Sequence, residues 1–126
     1  MRAVDTNVLI RLLIEDDESQ ARSAEAFIGE GAWVSALAFA ETVWVLRNVY
    51  GFNSAKLTAA VELVLGHTNL TFQDADAIAS AVALFRERPN LGFSDCLMLE
   101  LARKAGHLPL GTFDRALGKA DGTQRI

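Results

Sequence analysis

The pattern of apolar and polar positions predicts strands that alternate with helices along the whole chain. Short apolar runs that end abruptly at a polar residue are typical of buried strands, and the longer segments between them have helical periodicity. The predicted strands cover residues 2–4, 32–35, 70–72 and 108–112. The predicted helices cover residues 6–14, 19–28, 37–50, 54–65, 74–86, 94–105 and a short segment 114–117, and the remaining tail can add a last edge strand.

Polar residues at the predicted helix starts support these boundaries. Asp5 or Thr6 can cap the first helix, and Asp74 and Ser94 are the expected N-caps of two later ones. The acidic run 15–18 precedes the second helix, where the helix dipole favours negative charge, so we interpret it as capping and not as a metal site.

The order of these elements predicts one α/β domain over residues 1–126. Strands that alternate with helices are joined by right-handed crossovers into a parallel sheet covered on both faces. We therefore expect a three-layer α/β/α fold around a central, mostly parallel sheet of four to five strands. The strand at residues 2–4, with Val4 before the acidic Asp5, is expected to be a buried central one.

Composition narrows the class of protein. An apolar fraction of 51% with mixed charges is typical of an ordinary folded domain. No apolar run has the length of a membrane span, and the lone Cys96 cannot form an internal disulfide, so we expect a cytoplasmic protein with Cys96 as a small buried hydrophobe. A net charge of -4 argues weakly against a broad nucleic-acid surface, unless acids crowd around divalent cations.

Four acids stand out as candidate functional residues: Asp5, Glu41, Asp95 and Asp114. Asp5 and Asp114 each follow a predicted strand and precede a helix, which places them at the carboxyl ends of strands, on the rim where open α/β sheets bind ligands. Each could instead be a helix cap, and Asp95 could be a first-turn charge. Taken singly, none of these three excludes the capping role.

Glu41 is the most informative acid because its helix is otherwise almost wholly apolar. On a helical wheel its neighbours are Leu37, Trp44 and Val45, so a carboxylate there is expected to need a cation, a hydrogen-bond network or a cleft. The alternative is a partly exposed acid that pairs with Arg47 or Lys56.

Four carboxylates on one rim would repel each other unless a cation lies between them. Oxygen ligands without histidine or cysteine favour Mg²⁺ or Mn²⁺ over zinc, and a pair of such ions can activate water and stabilise the leaving oxygen of a phosphodiester. A metal-free mechanism with His67 and His107 as acid and base is the less favoured alternative, because each lies beside a glycine that ends a helix.

Four segments in the same order resemble the PIN-domain ribonucleases. They are residues 4–9 (Val-Asp-Thr-Asn-Val-Leu), 40–41 (Ala-Glu), 93–96 (Phe-Ser-Asp-Cys) and 112–114 (Thr-Phe-Asp). The compact chain looks most like the VapC toxins of bacterial toxin–antitoxin pairs. The resemblance implies a Mg²⁺- or Mn²⁺-dependent endoribonuclease that leaves a 5′-phosphate and a 3′-hydroxyl, a homodimer, and a cognate antitoxin whose tail occupies the active-site groove.

The resemblance also implies roles for single residues. The four acids would hold metal, with Asp5 and Asp95 as the most direct ligands, and Glu41 and Asp114 would bind a second ion or position water and ligands. The supporting polar residues would be Thr6, Asn7 and Thr112. The basic residues that could contact RNA phosphates or antitoxin acids are Arg11, Arg86, Arg88 and Arg115, although ordinary solvated surface is the simpler interpretation for each.

Three alternatives remain. A receiver-type phosphoacceptor domain needs an acid pair near the first strand and a late lysine, whereas Thr6-Asn7 and the 112–114 segment stand in those places. A haloacid-dehalogenase-like phosphatase needs a second aspartate where Asn7 lies. A domain that only binds RNA or a protein partner is disfavoured by acids at all four positions.

Overall fold

The structure is a computed structural model that describes all residues from Met1 to Ile126. The chain divides into two compact units, Met1–Ala75 and Asp76–Ile126. No helix is both long enough and apolar enough to cross a membrane.

The N-terminal unit contains a parallel sheet and four helices. Its elements are β1 (Arg2–Val4), α1 (Thr6–Leu13), α2 (Glu18–Ile28), β2 (Ala32–Val34), α3 (Ala36–Asn48), α4 (Ser54–Leu65) and β3 (Leu70–Phe72). The strands lie in the order β1-β2-β3, all parallel, with Val4 in register with Val34 and Val34 with Phe72. The expected central position of β1 is wrong for this sheet, because β1 is an edge strand and only Val4 of it is buried.

Helix α1 packs against α2 and α3, and the core of this unit lies between these helices, α4 and the sheet. Its largest fully buried side chains are Leu9, Ile10, Ile28, Phe39, Leu46, Leu57, Val34 and Val61. The rings of Phe39 and Phe72 meet edge to face at 5.6 Å between centroids, an arrangement that aromatic pairs prefer. Both tryptophans of the chain, Trp33 and Trp44, belong to this unit and are partly exposed.

Each of these four helices begins at a residue whose side chain accepts a backbone hydrogen bond from the residue three positions later. The capping residues are Asp5, Asp17, Ser35 and Asn53. Asp17 lies in the acidic run, so the interpretation of that run as a cap is confirmed. These caps satisfy amide groups that the first turn of a helix would otherwise leave unpaired.

The C-terminal unit contains two long helices and a pair of strands. Helix α5 (Ala75–Glu87) begins at the last residue of the N-terminal unit, and α6 (Phe93–Ala105), β4 (Leu110–Thr112), a 3₁₀ turn (Leu117–Lys119) and β5 (Thr123–Arg125) follow. Strands β4 and β5 are parallel, so the tail does add a last strand. The α/β class with parallel strands is confirmed, and the five strands pair as one sheet of three and one of two.

Two expectations about helices in this region are wrong, those for the start of α6 and for a helix at residues 114–117. Helix α6 begins at Phe93 with Gly92 as N-cap, one residue before the expected start, because buried Phe93 packs edge to face on Phe85 at 5.5 Å. Asp74 lies directly before α5, at the expected N-cap position, and has a φ of 52°, a left-handed conformation that aspartate tolerates and that differs from the usual extended N-cap. Residues 114–116 lead into the 3₁₀ turn that begins at Leu117, and residues 114–117 form no helix of their own.

Candidate active site

Asp5 lies at the point where β1 ends and α1 begins. Its Oδ1 accepts a hydrogen bond from the Val8 amide at 3.2 Å, which makes it the N-cap of α1. The side chain is exposed, and its other oxygen has no hydrogen-bond partner in the protein. Capping therefore uses only one carboxylate oxygen and leaves the second available for a ligand.

Thr6 connects the start of α1 to Glu41 on α3. Its hydroxyl donates a hydrogen bond to Glu41 Oε2 at 2.9 Å, and the Ala38 carbonyl lies at 3.5 Å from the same hydroxyl. A single O–H donates mainly to the nearer and charged acceptor. Thr6 and Glu41 thus form one hydrogen-bonded pair, and this hydrogen bond orients the Glu41 carboxylate.

Glu41 is exposed, contrary to the expectation of a buried acid. The buried face of α3 consists of Ala38, Phe39, Thr42, Val43 and Leu46, and Glu41 lies on the opposite face. Leu37 and Trp44 share that face and are 71% and 57% exposed, so the apolar neighbours of Glu41 do not bury it. Neither Arg47 nor Lys56 pairs with it: Arg47 donates to the Phe52 carbonyl, and Lys56 lies over the Phe52 ring.

Asp95 lies in the first turn of α6 and is partly buried. Its carboxylate accepts no hydrogen bond and forms no ion pair in the protein. Burial raises the pKa of Asp95, and the negative charge of Asp114 raises it further. At Gly92 an added Cβ would lie 3.5 Å from Asp95 Oδ2, an ordinary van der Waals distance, so the N-cap residue of α6 lies directly beside this oxygen.

Asp114 is held by three hydrogen bonds within the turn that follows β4. Its amide donates to Thr112 Oγ1 at 3.0 Å, its carbonyl accepts from the Gly118 amide at 2.9 Å, and its Oδ1 accepts from the Leu117 amide at 2.7 Å. Leu117 is buried and anchors the turn. The Thr112 hydroxyl thus contacts the backbone amide of Asp114 and not its carboxylate.

Comparison with known protein families assigns the chain to one of them. The model of the PIN domain matches residues 2–122, which is nearly the whole chain. The chain belongs to the PIN domain family. PIN domains are generally nucleases, so membership indicates a hydrolase that acts on nucleic acid. No curated protein matches the chain significantly.

The cysteine and the two histidines of this PIN domain were also considered as catalytic groups, and each lies in a core or at a turn. Cys96 is fully buried, and burial together with the nearby Asp95 carboxylate raises the pKa of its thiol to about 11, so the prediction of a small buried hydrophobe is confirmed. His67 Nδ1 accepts a hydrogen bond from the Asn69 amide at 3.1 Å and thereby closes a turn. His107 follows the left-handed Gly106 that ends α6.

Asn7, Arg11 and Arg88 were predicted to support the acids or to contact a ligand, and they differ in the contacts that they make within the protein. Asn7 is exposed and, with Arg11, lines a cavity of about 350 Å³ between α1 and α2. Arg11 forms an ion pair with Asp16. Arg88 donates to the Ala116 carbonyl at 3.3 Å and so ties the segment after α5 to the turn that carries Asp114.

The last two arginines differ from each other. Arg86 lies in the last turn of α5. Arg115 is exposed and has no hydrogen-bond or ion-pair partner in the protein. Of the four basic candidates, Arg115 therefore has its guanidinium most available for a ligand.

PIN nucleases typically use divalent metal ions, and the donor set of this chain fits such ions. Every candidate ligand is a carboxylate, the type of donor that Mg²⁺ and Mn²⁺ prefer. A cation beside Asp95 would offset both causes that raise its pKa. The structure contains no group of three or more histidine, cysteine, aspartate or glutamate side chains that could hold a metal. It groups two acids in each unit, and the four-acid site stays a prediction.

One candidate residue was missed by sequence reasoning. Phe113 lies between Thr112 and Asp114 and is 80% exposed, the largest exposure among the large hydrophobic side chains of the chain. In the sequence analysis, Phe113 was considered only as the middle residue of the 112–114 segment. Its apolar character suggested nothing unusual, because only the structure shows that the ring is solvent-exposed.

Proposed function

We propose that the protein is a Mg²⁺- or Mn²⁺-dependent endoribonuclease. The observation that carries this proposal is Asp95, a partly buried carboxylate without a hydrogen-bond partner, whose pKa is raised by burial and by Asp114. A carboxylate in these surroundings is poorly suited to a structural role and well suited to a cation. Membership in a family of nucleases supplies the reaction class.

Each of the four acids has a proposed role. Asp5 and Asp95 are the direct metal ligands, and Glu41 and Asp114 bind a second ion or orient water and the other ligands. When bound, divalent ions supply Lewis-acid activation of water and neutralise charge at the phosphodiester. The protein contributes orientation: Thr6 directs Glu41, and the hydrogen bonds around Asp114 hold its carboxylate in one position.

We further propose that this nuclease is the VapC-type toxin of a toxin–antitoxin pair and acts in the cytoplasm as a homodimer. The support is the order and spacing of the four motif segments, which the family match spans. The exposed apolar side chains of Leu37 and Trp44 on α3 offer a surface for a second copy. The proposed partners are an RNA substrate and an antitoxin whose tail blocks the acidic site.

The test is cleavage of total RNA by the purified protein with Mg²⁺ or Mn²⁺ and with EDTA. We expect cleavage with either metal and none with EDTA. Asp5→Asn keeps a good N-cap residue and should still lose activity by more than the roughly 10–100-fold that is typical of a supporting residue. Asp17→Asn is the matched control, because Asp17 caps α2 by the same geometry; it should cleave like the wild type.

The outcomes separate this proposal from its alternatives. Cleavage that persists in EDTA and requires His67 and His107 would overturn the metal mechanism. RNA binding without cleavage under any metal would favour a domain that only binds RNA. Full activity of Asp5→Asn or Asp95→Asn would remove that residue from the site.

A further inference from the structure

The ring of Phe113 is presented to solvent on a rigid support. The side chain is 80% exposed and takes part in no aromatic or cation–π contact within the protein. The residue on its N-terminal side, Thr112, ends β4, and the residue on its C-terminal side, Asp114, is fixed by three hydrogen bonds. Exposure of a large apolar ring has a hydration cost, and nothing in the local packing of the chain compensates for it.

The residue that follows Asp114 in the chain, Arg115, has a free guanidinium. Arg115 is exposed and has no partner in the protein, in contrast to Arg11, which pairs with Asp16, and Arg88, which donates to Ala116. The turn thus carries an aromatic ring, a carboxylate and an unpaired cation at three consecutive positions, 113–115. Anchoring by buried Leu117 limits the freedom of the whole turn.

We propose that Phe113 and Arg115 form an RNA-binding element, in which an unstacked base lies on the Phe113 ring and Arg115 pairs with a neighbouring phosphate. This inference rests on the proposed nuclease function and adds a substrate contact to it: one base of the RNA is held on the Phe113 ring, next in the chain to Asp114. Bases of single-stranded RNA stack on aromatic side chains, and every base offers a face for this contact. Paired bases inside a helix cannot reach the ring.

RNA is favoured over a protein partner because the turn offers a cation and an aromatic ring together. Arg115 offers the charge-assisted contact that phosphates seek, and the ring offers the stacking surface that bases seek. A rigid support adds affinity, because little conformational freedom is lost when the ligand binds. A protein partner that covers Phe113 is the competing occupant, and the test below distinguishes the two.

The test measures binding of a fluorescein-labelled single-stranded RNA of mixed sequence by anisotropy, with Ca²⁺ in place of Mg²⁺ so that binding is separated from cleavage. Phe113→Leu should weaken binding by roughly 5- to 150-fold, the range for loss of one base–aromatic stack. Phe113→Trp keeps an aromatic ring at this position and should retain the affinity that Phe113→Leu loses. Leu63→Ala is the matched control, because Leu63 is a similarly exposed apolar residue on α4; it should bind RNA like the wild type.

A second RNA of the same length without bases isolates the stacking contact. Phe113→Leu should bind this abasic RNA as tightly as the wild type does. Arg115→Gln should weaken binding of both RNAs and reduce the salt dependence by about one phosphate contact. Lys119→Gln, which removes an exposed positive charge from the same unit, should have a smaller effect.

Three results would overturn the proposal: no measurable RNA binding by the wild type, equal binding by Phe113→Leu, or a change of oligomeric state in Phe113→Leu without a change in RNA affinity. The last result would assign the ring to a protein contact. Failure here is distinguishable from failure of the nuclease proposal. Cleavage by a chain that ignores Phe113 refutes only the RNA-binding element, whereas binding that depends on Phe113 without any cleavage refutes only the nuclease.

Discussion

Replacement of Thr6 by valine tests whether the Thr6–Glu41 hydrogen bond serves the reaction. Valine keeps the shape and the β-branch of threonine and removes only the hydroxyl that donates to Glu41 Oε2 at 2.9 Å. Because Glu41 is exposed, water can replace the lost donor, and the free energy of unfolding should fall by no more than about 1 kcal/mol. The carboxylate, however, loses the group that sets its direction.

The magnitude follows from the exposure of the pair. A hydrogen bond to a charged group contributes roughly 1.5–3 kcal/mol, and solvent exposure reduces this contribution to about 1 kcal/mol. That free energy corresponds to roughly a 5-fold change in an equilibrium constant. We therefore expect Thr6→Val to raise the Mn²⁺ concentration for half-maximal RNA cleavage by roughly 5-fold, with little change in melting temperature.

The assay compares the Mn²⁺ dependence of RNA cleavage and, separately, Mn²⁺ binding by calorimetry. Thr6→Ser retains the hydroxyl and should behave like the wild type in both. Thr58→Val is the matched control, because the Thr58 hydroxyl also donates within the N-terminal unit, to the Ser54 carbonyl at 2.8 Å. If Thr6→Val keeps the wild-type Mn²⁺ dependence, or if Thr58→Val changes it equally, the supporting role of Thr6 is refuted.

Two further predictions concern α6. Without metal, Asp95→Asn should melt no lower than the wild type at neutral pH, and any difference in melting temperature should vanish in acid. The reason is that the pKa of Asp95 is raised in the folded state. The ionised carboxylate therefore destabilises the fold above that pKa, and this destabilisation is lost below the ordinary pKa of aspartate. Thermal melts in EDTA across pH measure this, and a clear drop at neutral pH would make Asp95 a structural residue. Cys96 should resist a thiol reagent until the protein unfolds, because it is fully buried and a pKa of about 11 leaves roughly 100-fold less thiolate than an ordinary cysteine has; rapid labelling of the native protein would contradict this.

Local signals in the sequence predicted most elements of the fold. Residues 54–65 and 70–72 were predicted with the observed bounds, because glycine and polar residues mark their ends. The caps Asp5 and Asp17 depend only on contacts within one helical turn, which sequence reasoning can anticipate. The start of α6 could not be predicted this way, since the packing of Phe93 on Phe85 involves a residue from another helix.

The candidate site was predicted by residue identity better than by environment. Glu41 was expected to be buried because its neighbours are apolar, but Leu37 and Trp44 are themselves exposed. Hydrophobicity along a helix indicates which residues can be buried, and only the fold decides which face is covered. The same limit explains why Phe113 was missed and why the hydroxyl of Thr6 could not be assigned to Glu41 beforehand.

The location of both tryptophans has a consequence for spectroscopy. Trp33 and Trp44, and the only tyrosine, Tyr50, all belong to the N-terminal unit. Tryptophan emission therefore monitors unfolding of residues 1–75 alone, whereas far-ultraviolet circular dichroism monitors the helices of both units. Coincident curves from the two signals would establish cooperative unfolding of the whole chain. Separate curves would give each unit its own transition, without any label added to the protein.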